Sequence, residues 1–470
     1  MKKIYNLILL FSIVVSSNSF STIINVPANF STIQGAINAS VNGDTVVVAP
    51  GTYFENINFR GKNIVVTSQY YLAQNVSFIS STIINGSTPL FADTASCVIF
   101  NHNETSAAML QGFTLTGGKG SKWVDIHGAG TYREGGGILI ELCSPTIKHN
   151  LITNNLVTNA TGVSGTGGGG IRIGDGNPTV CSNAIMFNQA GYGPGIVLNY
   201  TGGKITNNII ASNTGGQSFN GGSGIWAINN LSLTPIVIEN NTIINNYSSL
   251  AGGTGGVLIW GCNNVSVRNN IIYGNLPAVQ VKTITIAPSV TYNDIQGGYA
   301  GTGNINQNPM FGTNNYYLAS GSPCIDSGDP ASIYDDIEDQ ANLGNALFPS
   351  LALLHNDLGA YGGPCTSILP AFTTVTGIKE EETIINGFHI FPNPASSVFT
   401  IKFYLENEQP IKIELLDVLG RPISLLYNEN SNKGDNELTV NKQNLSSGTY
   451  FIKINNRTGF STINKLIIID

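Results

Sequence analysis

From Gly135 to Gly298 the chain is a succession of short runs in which apolar and polar residues alternate, divided by glycine and asparagine, and no run has helical spacing. A glycine cluster opens each unit and leads into an alternating strand: GGGILI at Ile138, GGGGIRI at Ile171, GPGIVL at Ile196, GSGIWAI at Ile225 and GGVLIW at Val257. A second phrase follows in each unit: IKHNLITNN from Ile147, VCSNAIMFN from Val180, ITNNIIASN from Ile205, IENNTIINN from Ile238, VRNNIIYGN from Val267 and a worn VTYNDIQGG from Val290. Its asparagines align at Asn150, Asn183, Asn208, Asn241, Asn270 and Asn293, with spacings of 33, 25, 33, 29 and 23 residues. A second column sits five residues later, at Asn155, Asn188, Asn213, Asn246 and Asn275.

Each unit predicts three short strands separated by turns. A unit this small cannot bury its own apolar face and must stack on copies of itself. The inward positions, Ile138, Ile140, Ile171, Ile173, Ile196, Leu198, Ile225, Val257 and Ile259, then form the core. Asparagine tolerates a left-handed backbone and suits the bends. Equivalent asparagines in adjacent coils, about 4.8 Å apart, can bond to one another as a ladder. A β-propeller or sandwich would instead need antiparallel hairpins with paired turn signals.

Three strands per turn, a period near 25 residues and asparagine at the bends resemble the right-handed parallel β-helix of the pectate-lyase-like superfamily. The stretch IINVPANFSTIQGAINASVNGDTVVVAPGTYFENI resembles the first coil of secreted members, with a short amphipathic helix from Ile33 to Ala39 plugging the open core and Thr45 to Val48 as the first buried strand. GTYFENI from Gly51 also resembles one motif of pectin methylesterases, but that family's paired aspartates and glutamine do not follow, so Tyr53 and Glu55 read as structural.

The expected organisation is a signal peptide over 1–19, the β-helix over 20–311, a segment over 312–366 that caps the last coil, a linker over 367–386 and a terminal domain over 387–470. Lys2, Lys3 and the apolar run from Leu7 to Val15 define the signal peptide. No later run is long enough for a membrane span. The phrases FHIFPNPASSVFTIKF, IELLDVLGRPI and NLSSGTYFIKI, ending in KLIIID, are similar to the C-terminal sorting domain of the type IX secretion system of Bacteroidetes. That resemblance implies a β-sandwich, the secretion machinery as partner, and a protein that is secreted or held at the outer-membrane cell surface.

Charged residues make up only 10% of the chain, and the net charge of -7 comes without a long basic run, so nucleic acid is not an expected partner. The six cysteines form no CxxC pair, which argues against a zinc site. Cys324 and Cys365 flank one compact segment and are the expected disulfide, with free thiols as the alternative. Asp326, Asp329, Asp335, Asp336, Asp339 and Asp357 leave calcium conceivable as a cofactor, although no regular calcium-loop spacing is present. The chain reads as a monomer.

Candidate chemistry lies outside the core. Glu141, Arg172, Asp175, Tyr200, Trp226 and Trp260 are expected side by side on one outer sheet face. Insertions fall consistently before the glycine clusters, so their loops should border that face and make a groove. The longest carries Lys119, Lys122, Trp123, Asp125, His127, Tyr132, Arg133 and Glu134. Trp123, Trp226, Trp260 and Tyr200 suit a saccharide platform, with Glu141 and Asp175 beside them. If the sugar were uronic, Arg172 or Arg133 could neutralise its carboxylate, and an Arg, Lys or His127 could take the adjacent proton. The superfamily resemblance thus implies an extracellular acidic polysaccharide as partner and elimination as a conceivable activity. A non-catalytic structural or adhesive surface protein is the alternative.

Overall fold

The computed structural model describes residues 21–159, 161–229, 234–312, 316–348, 353–367, 369, 386–405, 408–417, 422–442, 445–456 and 461–469. The signal peptide and nearly all of the expected linker lie outside them. The chain divides between Thr376 and Gly377 into two compact units.

In the first unit, parallel strands from successive coils stack into sheets of ten, nine and eight strands among the described residues. The register follows the repeat. Ile138, Ile171, Ile196, Ile225, Val257 and Val281 are consecutive neighbours in the eight-stranded sheet. Ile147, Val180, Ile205, Ile238, Val267 and Val290 are neighbours in the ten-stranded sheet. Ile152, Ile185, Ile210, Ile243, Ile272 and Ile295 are neighbours in the nine-stranded sheet. All these columns point inward and merge into one continuous apolar core. Burying a side chain of this size yields about 1.5–3 kcal/mol, which is why the repeat keeps Ile and Val at these positions.

The helix Ile33–Ala39 buries Ile33, Ala36 and Ile37 in that core. Thr32 caps it, and Glu55 accepts the Ile33 and Gln34 amides at 2.9 Å each, so this glutamate serves the helix start.

The asparagines of the first column bond as a ladder. Asn150 Nδ2 donates to Asn183 Oδ1 at 3.1 Å, and the chain of contacts continues through Asn208, Asn241 and Asn270 to Asn293. The second column does the same from Asn155 to Asn275. The left-handed backbone falls one residue earlier than expected: His149, Ser182, Asn207, Asn240 and Asn269 carry positive φ, and the following asparagine supplies the ladder side chain. Doublets such as Asn240–Asn241 therefore divide two jobs between two residues.

The segment 312–366 follows the last coil. Leu318, Cys324 and Leu358 pack on the outward side chain of Ile271 together with Ile305 and Phe311 of the last coil, and the chain then runs back along the bends. Two of its carboxylates are satisfied locally: Asp336 accepts the Asp357 amide at 3.3 Å and also the Gly363 amide, and Asp357 Oδ1 accepts the Asp326 amide at 2.8 Å. Among the described residues no group of three or more His, Cys, Asp or Glu side chains is placed to hold a metal ion.

Burial, then the charge of Asp357, pushes the Asp336 carboxyl up to about 8, and burial pushes Asp294 beneath the same segment up to about 6. Both folded values lie above the unfolded carboxylate value of about 3.9, so the folded state holds more protons. The stabilisation is complete below that value and is lost as pH rises through 6 and 8. Melting temperature should accordingly climb from pH 8.5 to pH 5, and Asp336→Asn should flatten the slope; equal slopes in the two proteins would refute the assignment.

The expected Cys324–Cys365 disulfide is absent, because Cys324 is buried with its thiol on Asp294 Oδ2 at 3.3 Å while Cys365 is exposed. No two of the six cysteines are bonded to each other in this structure.

The second unit is antiparallel. One sheet joins Asn386–Phe391, Val398–Leu405 and Gly434–Asn441, and the other joins Pro422–Ser431, Gln409–Leu416, Gly448–Asn456 and Ser461–Ile468. Alternation buries Phe399, Ile401, Phe403 and Leu405 from one sheet against Ile411, Ile413, Ile452 and Ile454 from the other.

Candidate functional site

The longest insertion forms a hairpin, Gly120–Val124 paired antiparallel with Thr131–Glu134. It is flanked by Thr94–Ala95 and Thr166–Gly167. Alternation gives the ribbon two faces. Trp123, Tyr132 and Glu134 share one, and Lys122 and Arg133 share the other.

The first face is fastened to the eight-stranded sheet through Glu134. Its carboxylate accepts Trp123 Nε1 at 2.6 Å, Arg172 Nε at 3.2 Å and the Tyr192 hydroxyl. Arg172 also binds the Ile140 carbonyl at 3.1 Å and the Glu141 carboxylate, and its guanidinium lies 3.7 Å from the Trp123 ring centre. Arg172 is 0% exposed. Burial works against its charge and Glu134 restores it, so the guanidinium stays protonated and already neutralised. Burial and then the Glu134 charge push the Tyr192 phenol well above its ordinary value, keeping it a donor to that carboxylate.

Arg133 points away from this knot. Its guanidinium is tied to the Ala92 and Gly120 carbonyls at 2.7 and 3.0 Å and to Asp93 at 2.9 Å. Arg133 and Arg172 therefore do not converge. His127, in the hairpin turn, reaches Asp175 through Nε2 at 2.8 Å and stacks on Tyr200 with ring centres 3.6 Å apart. Asp175 and Tyr200 lie just past their strands, at left-handed positions.

The outer sheet face is covered more than alternation predicts. Trp226 is only 5% exposed, packed with Tyr192, Val197 and Leu258, and its Nε1 donates to the Phe219 carbonyl at 2.9 Å. Trp260 and Tyr200 remain half-buried. Between hairpin and sheet lies a pocket of about 300 Å³ whose walls include Trp123, Tyr132, Tyr200, Phe219 and Trp260, with Asp125, Asn199 and Asn229 as polar members. None of its described lining residues is cationic. Sequence reasoning passed over Tyr192, Phe219, Asn199 and Asn229. Asn199 alone left a signal, as the residue in strand register with Gly174 and Ile228 on the outer row.

Residues 389–469 match the family described as secretion system C-terminal sorting domain. Residues 23–227 match a β-helix family described as protein of unknown function (DUF1565). Among curated proteins no match to the chain is found. Two solved structures of the PL6 family alginate lyase AlyGC, the first a mutant form, resemble it at 12% and 10% identity over 64% and 70% of this chain, with TM-scores of 0.22 and 0.21. The chain spans 56% and 59% of their lengths, and likeness at that level says nothing of chemistry. The protein is a parallel β-helix carrying a type IX sorting domain, exported to the cell surface or beyond. Among the described residues no helix is long and apolar enough to cross a membrane.

Proposed function

We propose that the exported β-helix is a glycan-binding protein whose aromatic pocket takes a neutral, hydroxyl-rich segment of an extracellular saccharide. The supporting observation is the sign of charge around the pocket. Asp125 is the one charged residue among the described lining, and the cations nearby are already paired, Arg172 with Glu134 and Glu141 and His127 with Asp175. A uronate carboxylate would enter a field of its own sign. A neutral sugar ring suits the faces of Trp260 and Tyr200, with the amides of Asn199 and Asn229 offering both donors and acceptors to its hydroxyls.

Affinity electrophoresis against a panel of neutral and uronic polysaccharides tests this reading. A neutral polymer should retard the protein, and Trp260→Ala should weaken that binding roughly tenfold while leaving the melting temperature unchanged. Undiminished binding by the variant would remove the pocket from the account.

A second reading, eliminative cleavage, is favoured by one contact. His127 Nε2 lies 2.8 Å from Asp175 Oδ1, and in the neutral tautomer that donates to this carboxylate Nδ1 is the nitrogen that can take a proton. It requires unsaturated products, visible in the ultraviolet, that disappear in His127→Ala.

A further inference from the structure

Residues 356–367 form a strap over the bends between the ten- and nine-stranded sheets. Asn269 accepts the Gly359 amide at 2.8 Å through its carbonyl. Asn240 Nδ2 donates to the Asp357 carbonyl at 3.0 Å, and Asn207 Nδ2 donates to the Ala360 and Gly362 carbonyls at 3.2 and 2.7 Å. One coil further, Ser367 Oγ donates to Ser182 Oγ at 2.9 Å. Each of these solenoid residues holds the left-handed position of its coil. The strap thus reads the bends one by one, and the serine pair fixes its register.

That serine pair is flanked by two thiols. Cys181 immediately precedes Ser182, and Cys365 lies two residues before Ser367. In the strand Thr179–Cys181 the Val180 side chain fills the core, so Cys181 faces outward. Lys148 stands beside it in the neighbouring strand. Burial pushes the Cys181 thiol up to about 11, Lys148 opposes the rise and Cys365 adds to it. Cys365 is exposed, whereas Cys97, Cys143, Cys262 and Cys324 are buried.

We propose that Cys181 and Cys365 join as a disulfide after export, locking the strap across the coils. Exported chains meet an oxidising environment, where such bonds persist. The oxidant is a disulfide-bearing exchange partner, either a protein oxidase or an oxidised low-molecular-weight thiol. The exposed Cys365 thiolate attacks the partner's disulfide, forming a mixed disulfide and releasing one partner thiolate. Cys181, as thiolate, then attacks the Cys365 sulfur and releases the second. The protein loses two protons and two electrons, and the partner's disulfide is reduced to two thiols.

Intact mass and thiol alkylation of the exported protein, denatured without reductant, test the bond. The expected result is a mass 2 Da below the fully reduced form, four alkylated thiols, and a digest containing one linked pair of peptides that join Cys181 to Cys365. The bond should survive in Cys324→Ser and vanish in Cys365→Ser. Reductant should lower the melting temperature of the wild type and leave that of Cys365→Ser unchanged. Six alkylatable thiols, a bond between any other pair, or a 2 Da deficit that persists in Cys365→Ser would overturn the proposal.

Discussion

Asn241→Ala is expected to lower the stability of the solenoid by about 3–5 kcal/mol, because one side chain serves three coils and its removal strands several buried polar groups at once. Its Nδ2 donates to the Ile205 carbonyl at 2.7 Å, to the Glu239 carbonyl at 3.0 Å and to Asn270 Oδ1 at 3.0 Å. Its Oδ1 accepts the Asn208 amide and Asn208 Nδ2, both at 3.0 Å. The alanine at this site satisfies none of these, and water has no path to a residue that is 0% exposed. Coils couple only to their neighbours, so the position within the ladder sets the cost. Asn304→Ala, at the half-buried end of the column, should cost clearly less. Chemical denaturation of the two variants checks the difference, and equal losses would mean the ladder does not carry the coils.

Arg172→Ala should be comparably damaging, at about 3–5 kcal/mol, since it leaves Glu134 and Glu141 buried without their shared cation. The hairpin Gly120–Val124 with Thr131–Glu134 would lose its fastening to the sheet, and the Trp123 ring its guanidinium partner. Proteolysis within residues 120–134 should accelerate in the variant. A triple replacement, Arg172→Met with Glu134→Gln and Glu141→Gln, should regain much of the stability, because no charge is then left unpaired. If Arg172→Ala melts like the wild type, the guanidinium is not holding the hairpin, and a role toward an external ligand becomes the better explanation.

The ladder was legible because its logic is one-dimensional: identical side chains at equivalent positions of a repeat must meet when the repeats stack. The same logic placed Ile138, Ile171 and Ile196 in the core. The bend residue was harder, since in doublets such as Asn207–Asn208 both asparagines can take a left-handed backbone and only the coordinates say which one does. Alternation correctly put Arg172 and Trp226 on the outer row of one sheet, where they share a register. It could not say that an inserted hairpin and Phe219 would cover them, because a covering loop lies outside the period of the repeat. Arg133 and Glu134 are adjacent in sequence, and their opposite faces were implicit in the strand they belong to. Cys365 was matched to Cys324 by proximity along the chain, whereas the strap carries it back to the coil of Cys181, 184 positions away.

The most direct test of the pocket is titration calorimetry of the exported protein with neutral and uronic oligosaccharides of equal length, at low and at high salt. The charge balance predicts heat of binding from a neutral oligosaccharide, little changed by salt, and none from its uronic counterpart. Tighter binding of the uronic sugar, weakening as salt is raised, would contradict it.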